Sequence, residues 1–246
     1  MFHPCSALKL FAITKERLNV FLFELGKRYR KLSGKKTPAE IILIGGASIL
    51  INYGFRDATY DADIIVTASS VMKEAINFLR DEFGLPHEWM NEGVKKTESY
   101  SHKLFEVSVF YKCYSNILTI RTIEAEYLVA MKAMSGRQNK YDLSDIVGII
   151  MEHQKRDDPL TKDKIENAII ILYGEKKIPE ISRKLLDEVF TCDNYEQLYN
   201  EIRENEKEAK ELILEFNKDN PGSIKGENIN NVINEMRKKK QNQKKR

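Results

Sequence analysis

Two aspartates two residues apart, Asp61 and Asp63, mark the part of this 246-residue chain best equipped for chemistry. They lead into Ile64-Ile65-Val66, an apolar, β-branched run that reads as a buried strand. Side chains at i and i+2 of a strand share a face, so the two carboxylates project side by side. Like charges that close repel unless a cation lies between them. Mg²⁺, or Mn²⁺ in its place, suits such a pair, because a hard cation takes one or two carboxylates and leaves room for substrate phosphates. Ions held in this way activate a hydroxyl and stabilise a leaving pyrophosphate. Upstream, the apolar run Ile41-Ile42-Leu43-Ile44 ends in Gly45-Gly46, and a short helix follows. Glycine allows backbone to come close to a ligand. The N–H groups of the following helix then form a seat for phosphate, with Ser48 adding a hydroxyl in the first turn. Arg56 and Thr59 lie between the two motifs. They are placed to approach the phosphates, to orient the aspartates, or to brace the loop.

These residues need elements to hold them. Residues 14–32 carry Leu18, Phe21, Leu22, Leu25 and Tyr29 at helical spacing, with Thr14 as N-cap and Ser33-Gly34 as the stop. The runs 41–44 and 63–67 are expected strands, and 71–83 is a helix closed by Gly84 and Pro86. Residues 92–101 read as an exposed loop. Alternation over 104–111 predicts a strand with Phe105, Val107, Val109 and Tyr111 on one face and Glu106 and Ser108 on the other. Residues 117–123 form a further strand. From Glu124 the period becomes helical and stays so. Strands alternating with helices, then helices alone, predict an α/β (α+β) fold: a mixed sheet flanked by helices, followed by an all-helical domain. The expected boundaries are 1–153 for the α/β domain, 154–236 for the helical domain and 237–246 for a disordered basic tail.

Composition narrows the function classes. Forty basic and 37 acidic residues nearly balance, but seven of the basic ones fall in the last ten positions. Without that tail, 33 basic groups face 37 acidic ones, so the body is mildly acidic. The tail can grip RNA, whereas a broad nucleic-acid-binding surface is not expected. Cys5, Cys113 and Cys192 are too far apart for a disulfide framework or a CxxC metal site, and Cys113 reads as a buried thiol. The four histidines show no metal-ligand spacing. No secretory leader is evident and the apolar runs are too short to cross a bilayer, so a cytoplasmic protein without membrane contact is expected.

The combination Gly45-Gly46-x-Ser48 with Arg56-x-x-Thr59-x-Asp61-x-Asp63 resembles the signature of the nucleotidyltransferase superfamily. It also resembles bacterial nucleotidyltransferase-like proteins related to the AbiEii toxins. The likeness extends through Trp89-Met90-Asn91-Glu92-Gly93-Val94, the stretch from Glu126 to Lys132, Gly136-Arg137 and Asp142-x-x-Asp145, and covers roughly residues 18–150. It implies transfer of a nucleoside monophosphate from an NTP such as ATP to an acceptor hydroxyl on RNA, tRNA included, or on a protein. It implies a toxin–antitoxin or phage-defence role with an antitoxin partner. Glu106 matches the position of a third metal-binding carboxylate, where an aspartate is usual, and Lys132 is implied to reach the nucleotide. Asp142 and Asp145 are read as structural, at the start of a helix. The other reading is a nucleotidyltransferase fold without catalysis, acting as a nucleotide sensor or protein-interaction module.

Overall fold

The computed structural model describes residues 11–34, 36–67, 70–224 and 228–244, with side chains through residue 240. The first helix, α1 (Lys15–Leu32), begins where Thr14 accepts a hydrogen bond from the Arg17 amide, and it buries the five residues its spacing predicts. Strand β1 (Ala39–Leu43) runs into α2 (Gly45–Asn52), and β2 (Ala62–Val66) is followed by α3 (Ser70–Phe83). A two-residue strand β3 (Met90–Asn91), then β4 (Ser108–Tyr114) and β5 (Leu118–Ile123), complete the sheet. The strand order is β3-β2-β1-β5-β4. β1 lies antiparallel to β2 and parallel to β5, β3 is parallel to β2, and β4 pairs antiparallel with β5. The β4–β5 hairpin turns on Ser115 and Asn116, both with positive φ. That backbone twist matches the twist of the flanking strands.

Alternation sorts the sheet into two faces. Ala39, Ile41 and Leu43, Ala62 and Ile64, Met90, and Leu118 and Ile120 join one hydrophobic core with α1 and α3. Fully buried Trp89 sits in this core, its indole N–H donating to the Ile76 carbonyl. Ile42, Ile44, Asp63 and Arg121 therefore belong to the opposite face.

Contacts group the described chain into two compact units, one up to Met131 together with 168–174, the other 132–167 with 175 onward. The sequence-based line at 153/154 falls inside α5 (Asp142–Lys155). Helix α4 (Ala125–Ser135) starts in the first unit. The end of α6 (Lys162–Tyr173) also belongs there, clasped by the loop at 99–103: Ser101 donates to the Leu172 carbonyl, Lys103 to Ile171, and Tyr173 to Ser99. In the second unit α5 packs on α8 (Tyr195–Asp219), with α7 (Glu180–Val189) and α9 (Ile229–Lys244) beside them. The basic residues read as a disordered tail continue α9 as far as Lys244, and residues 245–246 lie outside the described residues. Among the described residues no helix is long and apolar enough to cross a membrane.

Three expectations are corrected in the β4 region. Residues 102–105 form a 3₁₀ turn, started by Ser101 accepting from the Lys103 amide, so the strand begins only at Ser108. Local side-chain hydrogen bonds of this kind compete with strand pairing. Ser108, predicted polar and outward, is buried. Its hydroxyl donates to Phe105 O and accepts from the Arg121 guanidinium, each at 2.7 Å. Phe105, Val109 and Phe110 are exposed instead. Cys113, expected buried, is exposed on the same strand.

Glu206 is the most consequential buried acid of the helical unit. Its carboxyl accepts from the Leu143 amide at 2.8 Å, the Ser144 amide at 3.3 Å and the Ser144 hydroxyl at 2.5 Å, satisfying the start of α5. Burial, with Asp145 nearby, pushes it from an ordinary 4.5 up to about 8 despite those bonds. The folded state therefore keeps a proton that the unfolded chain releases within that window. The contribution of Glu206 to stability is fully present below that window and is expected to fall as pH rises towards 8, by roughly 1 kcal/mol per pH unit. Glu206→Gln, which mimics the protonated form, is expected to flatten this slope in denaturant melts at pH 6 and pH 8. An unchanged slope would assign the pH dependence to another group.

Candidate functional site

The end of the sheet where β1 leaves and β2 enters gathers most of the motif residues. Gly45 has φ +55°, a left-handed backbone that a side-chain-bearing residue adopts only at a cost. A methyl group built there would lie 3.4 Å from an Asp63 carboxylate oxygen. The β1–β2 ladder sets this proximity, since the Ile44 amide donates to the Asp63 carbonyl at 3.0 Å. Gly46 is crowded from the other side. A Cβ there would meet Thr59 Oγ1 at 2.8 Å and an Arg56 guanidinium nitrogen at 2.9 Å. Gly45, Gly46, Arg56, Thr59 and Asp63 thus converge around one turn.

The loop before β2 is pinned. Ile13 and Thr59 form an isolated antiparallel bridge with reciprocal backbone bonds of 2.7 and 3.0 Å. The buried Thr59 hydroxyl donates to the Asp61 carbonyl at 3.0 Å, and Arg56 Nε donates to Ala58 O at 3.2 Å. Ala62 is fully buried in the core. By alternation its neighbours turn to the other side of the strand, Asp63 half-buried and Asp61 exposed.

The other expected residues are placed differently. Ser48 is fully buried, its hydroxyl oxygen facing the Ile123 amide and the Asn52 side chain, each at 3.4 Å, so it ties α2 to the end of β5. Glu106 is exposed in the turn before β4, not on a strand. Among the described residues no group of three or more histidines, cysteines or acids is poised to hold a metal, so Glu106 is not gathered with Asp61 and Asp63. Lys132 is buried in the helical unit, its ammonium 2.8 Å from Asp142 and 2.8 Å from Asp145. Arg137 also reaches Asp142 at 2.8 Å. Burial alone would raise the Asp142 carboxyl, but Lys132 and Arg137 outweigh it and hold it well below the usual carboxylate range. Asp142 and Asp145 pair with these cations; the N-cap of α5 is Tyr141, whose own side chain does not cap it.

One residue beside the site was given no role in the sequence reading. Asn91 is the register partner of Asp63 across β2 and β3. Its amide accepts from Gly93 N at 2.7 Å and donates to Glu88 O at 3.0 Å, which shapes the turn next to Asp63. The signal was there in Trp89-Met90, an apolar pair of the kind that enters a core, but a two-residue strand leaves no periodicity to detect.

Gly46→Ala tests the crowding directly. The added methyl has to push Arg56 and Thr59 aside, costing about 1–3 kcal/mol as overpacking does. The expected result is a lower melting temperature together with weakened nucleotide binding, read by thermal shift with and without Mg²⁺–ATP. A fully stable variant with unchanged binding would remove Gly46 from the site.

A mixed five-stranded sheet with helices packed on it thus sets a glycine turn against an aspartate at the adjoining strand end. A family model described as nucleotidyltransferase of unknown function (DUF6036) matches residues 21–156, over half of the sequence, and the chain belongs to that family. No curated protein and no solved structure matches it.

Proposed function

We propose that the protein is a metal-dependent nucleotidyltransferase that moves a nucleoside monophosphate from an NTP to an acceptor hydroxyl on RNA or protein. The observation that carries this reading is the Asp63 carboxylate held 3.4 Å from where a side chain at Gly45 would begin. Only glycine leaves that gap open. In this reading phosphates sit against the backbone of Gly45 and Gly46 at the start of α2, with Arg56 beside them. Ser48 holds α2 in place. Asp61 and Asp63 fit a divalent ion, as oxygen donors at a strand end with one of them exposed. A Mg²⁺ or Mn²⁺ ion there would neutralise charge on the phosphates and favour the ionised acceptor. The acceptor oxygen bonds to the α-phosphorus as the bond to pyrophosphate breaks, and the hydroxyl proton leaves to solvent or to a nearby base. The likeness to AbiEii-related proteins supports a toxin-like component paired with an antitoxin.

A second reading is favoured by one specific observation. Glu106 stands apart from the two aspartates, and no third acid joins them among the described residues. A site with two acids suits a nucleotide-sensing module. One experiment separates the readings: incubation with Mg²⁺ and each α-labelled NTP in turn, with total RNA or protein as acceptor. Transfer of label supports the enzyme. Thermal stabilisation by Mg²⁺–NTP without transfer supports the sensor. No nucleotide effect of either kind defeats both.

A further inference from the structure

β4 is the outermost strand of the sheet, and β5 is its only sheet neighbour among the described residues. Every second residue of such a strand turns its N–H and C=O outward, a ready template for another strand. Edges are normally blunted by shortness, proline, bulges or charge. β4 is seven residues long and contains no proline. Only a register shift between Phe110 and Lys112, and Lys112 itself, interrupt it.

Both layers beside this edge expose apolar side chains. Phe110, paired with Arg121, is 63% exposed on one face, and Val109, paired with Thr122, is exposed on the other. Helix α1 runs alongside. Asn19 accepts from the Tyr111 and Tyr114 hydroxyls, Gly26 abuts Tyr114, and Arg30 donates to Ser115 O. Phe23 falls on the same helical stripe as Asn19, Gly26 and Arg30, and is 49% exposed next to exposed Val20. Exposed apolar side chains thus flank the open edge on both faces of the sheet.

Three cations lie at this edge. Arg30 is bonded to a carbonyl, Arg121 to Ser108, and Lys112 lies over the Tyr114 ring. None of the three forms an ion pair among the described residues. A second copy of the same edge would set these cations against their own images, whereas an acidic partner would neutralise them. We propose that the β4 edge, flanked by Val20 and Phe23, docks an extended, acid-rich and partly apolar segment of a partner protein by strand addition. The main chain of β4 supplies hydrogen bonds, the apolar flanks receive alternate side chains, and Lys112, Arg30 and Arg121 select acids. This surface is independent of the proposed catalysis.

The test uses the full chain and a fluorescent, end-blocked peptide of alternating glutamate and valine, with an alternating lysine–valine peptide as control. The expected result is saturable polarisation with the acidic peptide alone, weakened by salt and about tenfold weaker in Lys112→Glu. Val109→Pro and Phe110→Pro complete it. One of these adjacent positions points its N–H outward, and proline there leaves thermal melting unchanged yet blocks the peptide. The other removes a ladder bond to β5 and lowers the melt. Equal binding of the two peptides, no saturable binding, or binding that survives both prolines overturns the proposal. A dimer by sedimentation that the melt-neutral proline dissolves makes a second copy the occupant. Uptake of a labelled oligouridylate in place of the peptide makes the edge a nucleic-acid site. Either outcome overturns it as well.

Discussion

Asp63→Asn is expected to reduce nucleotidyl transfer by about a thousandfold or more, the scale on which removing one group that stabilises transition-state charge acts. The substitution keeps the shape of the side chain and removes its charge. Asp63 is half-buried at a strand end and faces the Gly45 turn rather than the hydrophobic core, so the fold should persist. The check is label transfer measured beside a thermal melt. A normal melt with transfer lost places the carboxylate in the chemistry. Asp61→Asn should behave alike, because a cation shared by both loses half of its protein charge in either variant. Chelation of divalent ions should abolish transfer by the wild type. Transfer that continues undiminished in Asp63→Asn would falsify this site even if the chain proved to be a nucleotidyltransferase.

The second large effect is on stability. Lys132→Met is expected to destabilise the helical unit by about 3–5 kcal/mol, the usual consequence of removing one partner from a buried ionic cluster. Asp142 and Asp145 are essentially inaccessible to solvent, and Lys132 reaches both. Without the ammonium, Asp142 keeps Arg137, while two buried carboxylates face each other with one fewer cation. The pH dependence follows with a definite sign. Asp142 titrates below its ordinary value of 3.8 in the folded state, so its contribution is present above that value and is lost as pH falls below it. Lys132→Met should therefore lose most stability near neutral pH, and the gap to wild type should narrow in acid. Urea unfolding at neutral and acidic pH checks this. A contact from Lys132 to the nucleotide predicts the opposite pattern, a raised KM with stability intact.

The contrast between these two lysine roles shows where sequence reading runs out. Gly45-Gly46, the alternating acids and the apolar runs carry their meaning locally. Glycine alone tolerates φ +55° at Gly45, and β-branched runs bounded by turn residues specify strands. The order of β1, α2 and β2, and the approach of Asp63 to Gly45, were legible for that reason. So was α1, whose apolar stripe leaves one face to bury.

The partners of charged and polar side chains were not legible, because they are chosen by distant segments. Ser108 turns inward because Arg121 on the adjoining strand needs an acceptor, which shifts the start of β4 and leaves Glu106 in a turn. Asp142 and Asp145 wrap back onto Lys132 through the α4–α5 turn, and Glu206 reaches Leu143 from a helix more than sixty residues away. The sequence by itself determined the glycine turn, the acidic pair and the elements that carry them, since backbone sterics and periodicity act over a few residues. Tertiary structure alone decided which acid stands near which, because burial forces every charged group to find a partner and the nearest one in space is seldom near in the chain.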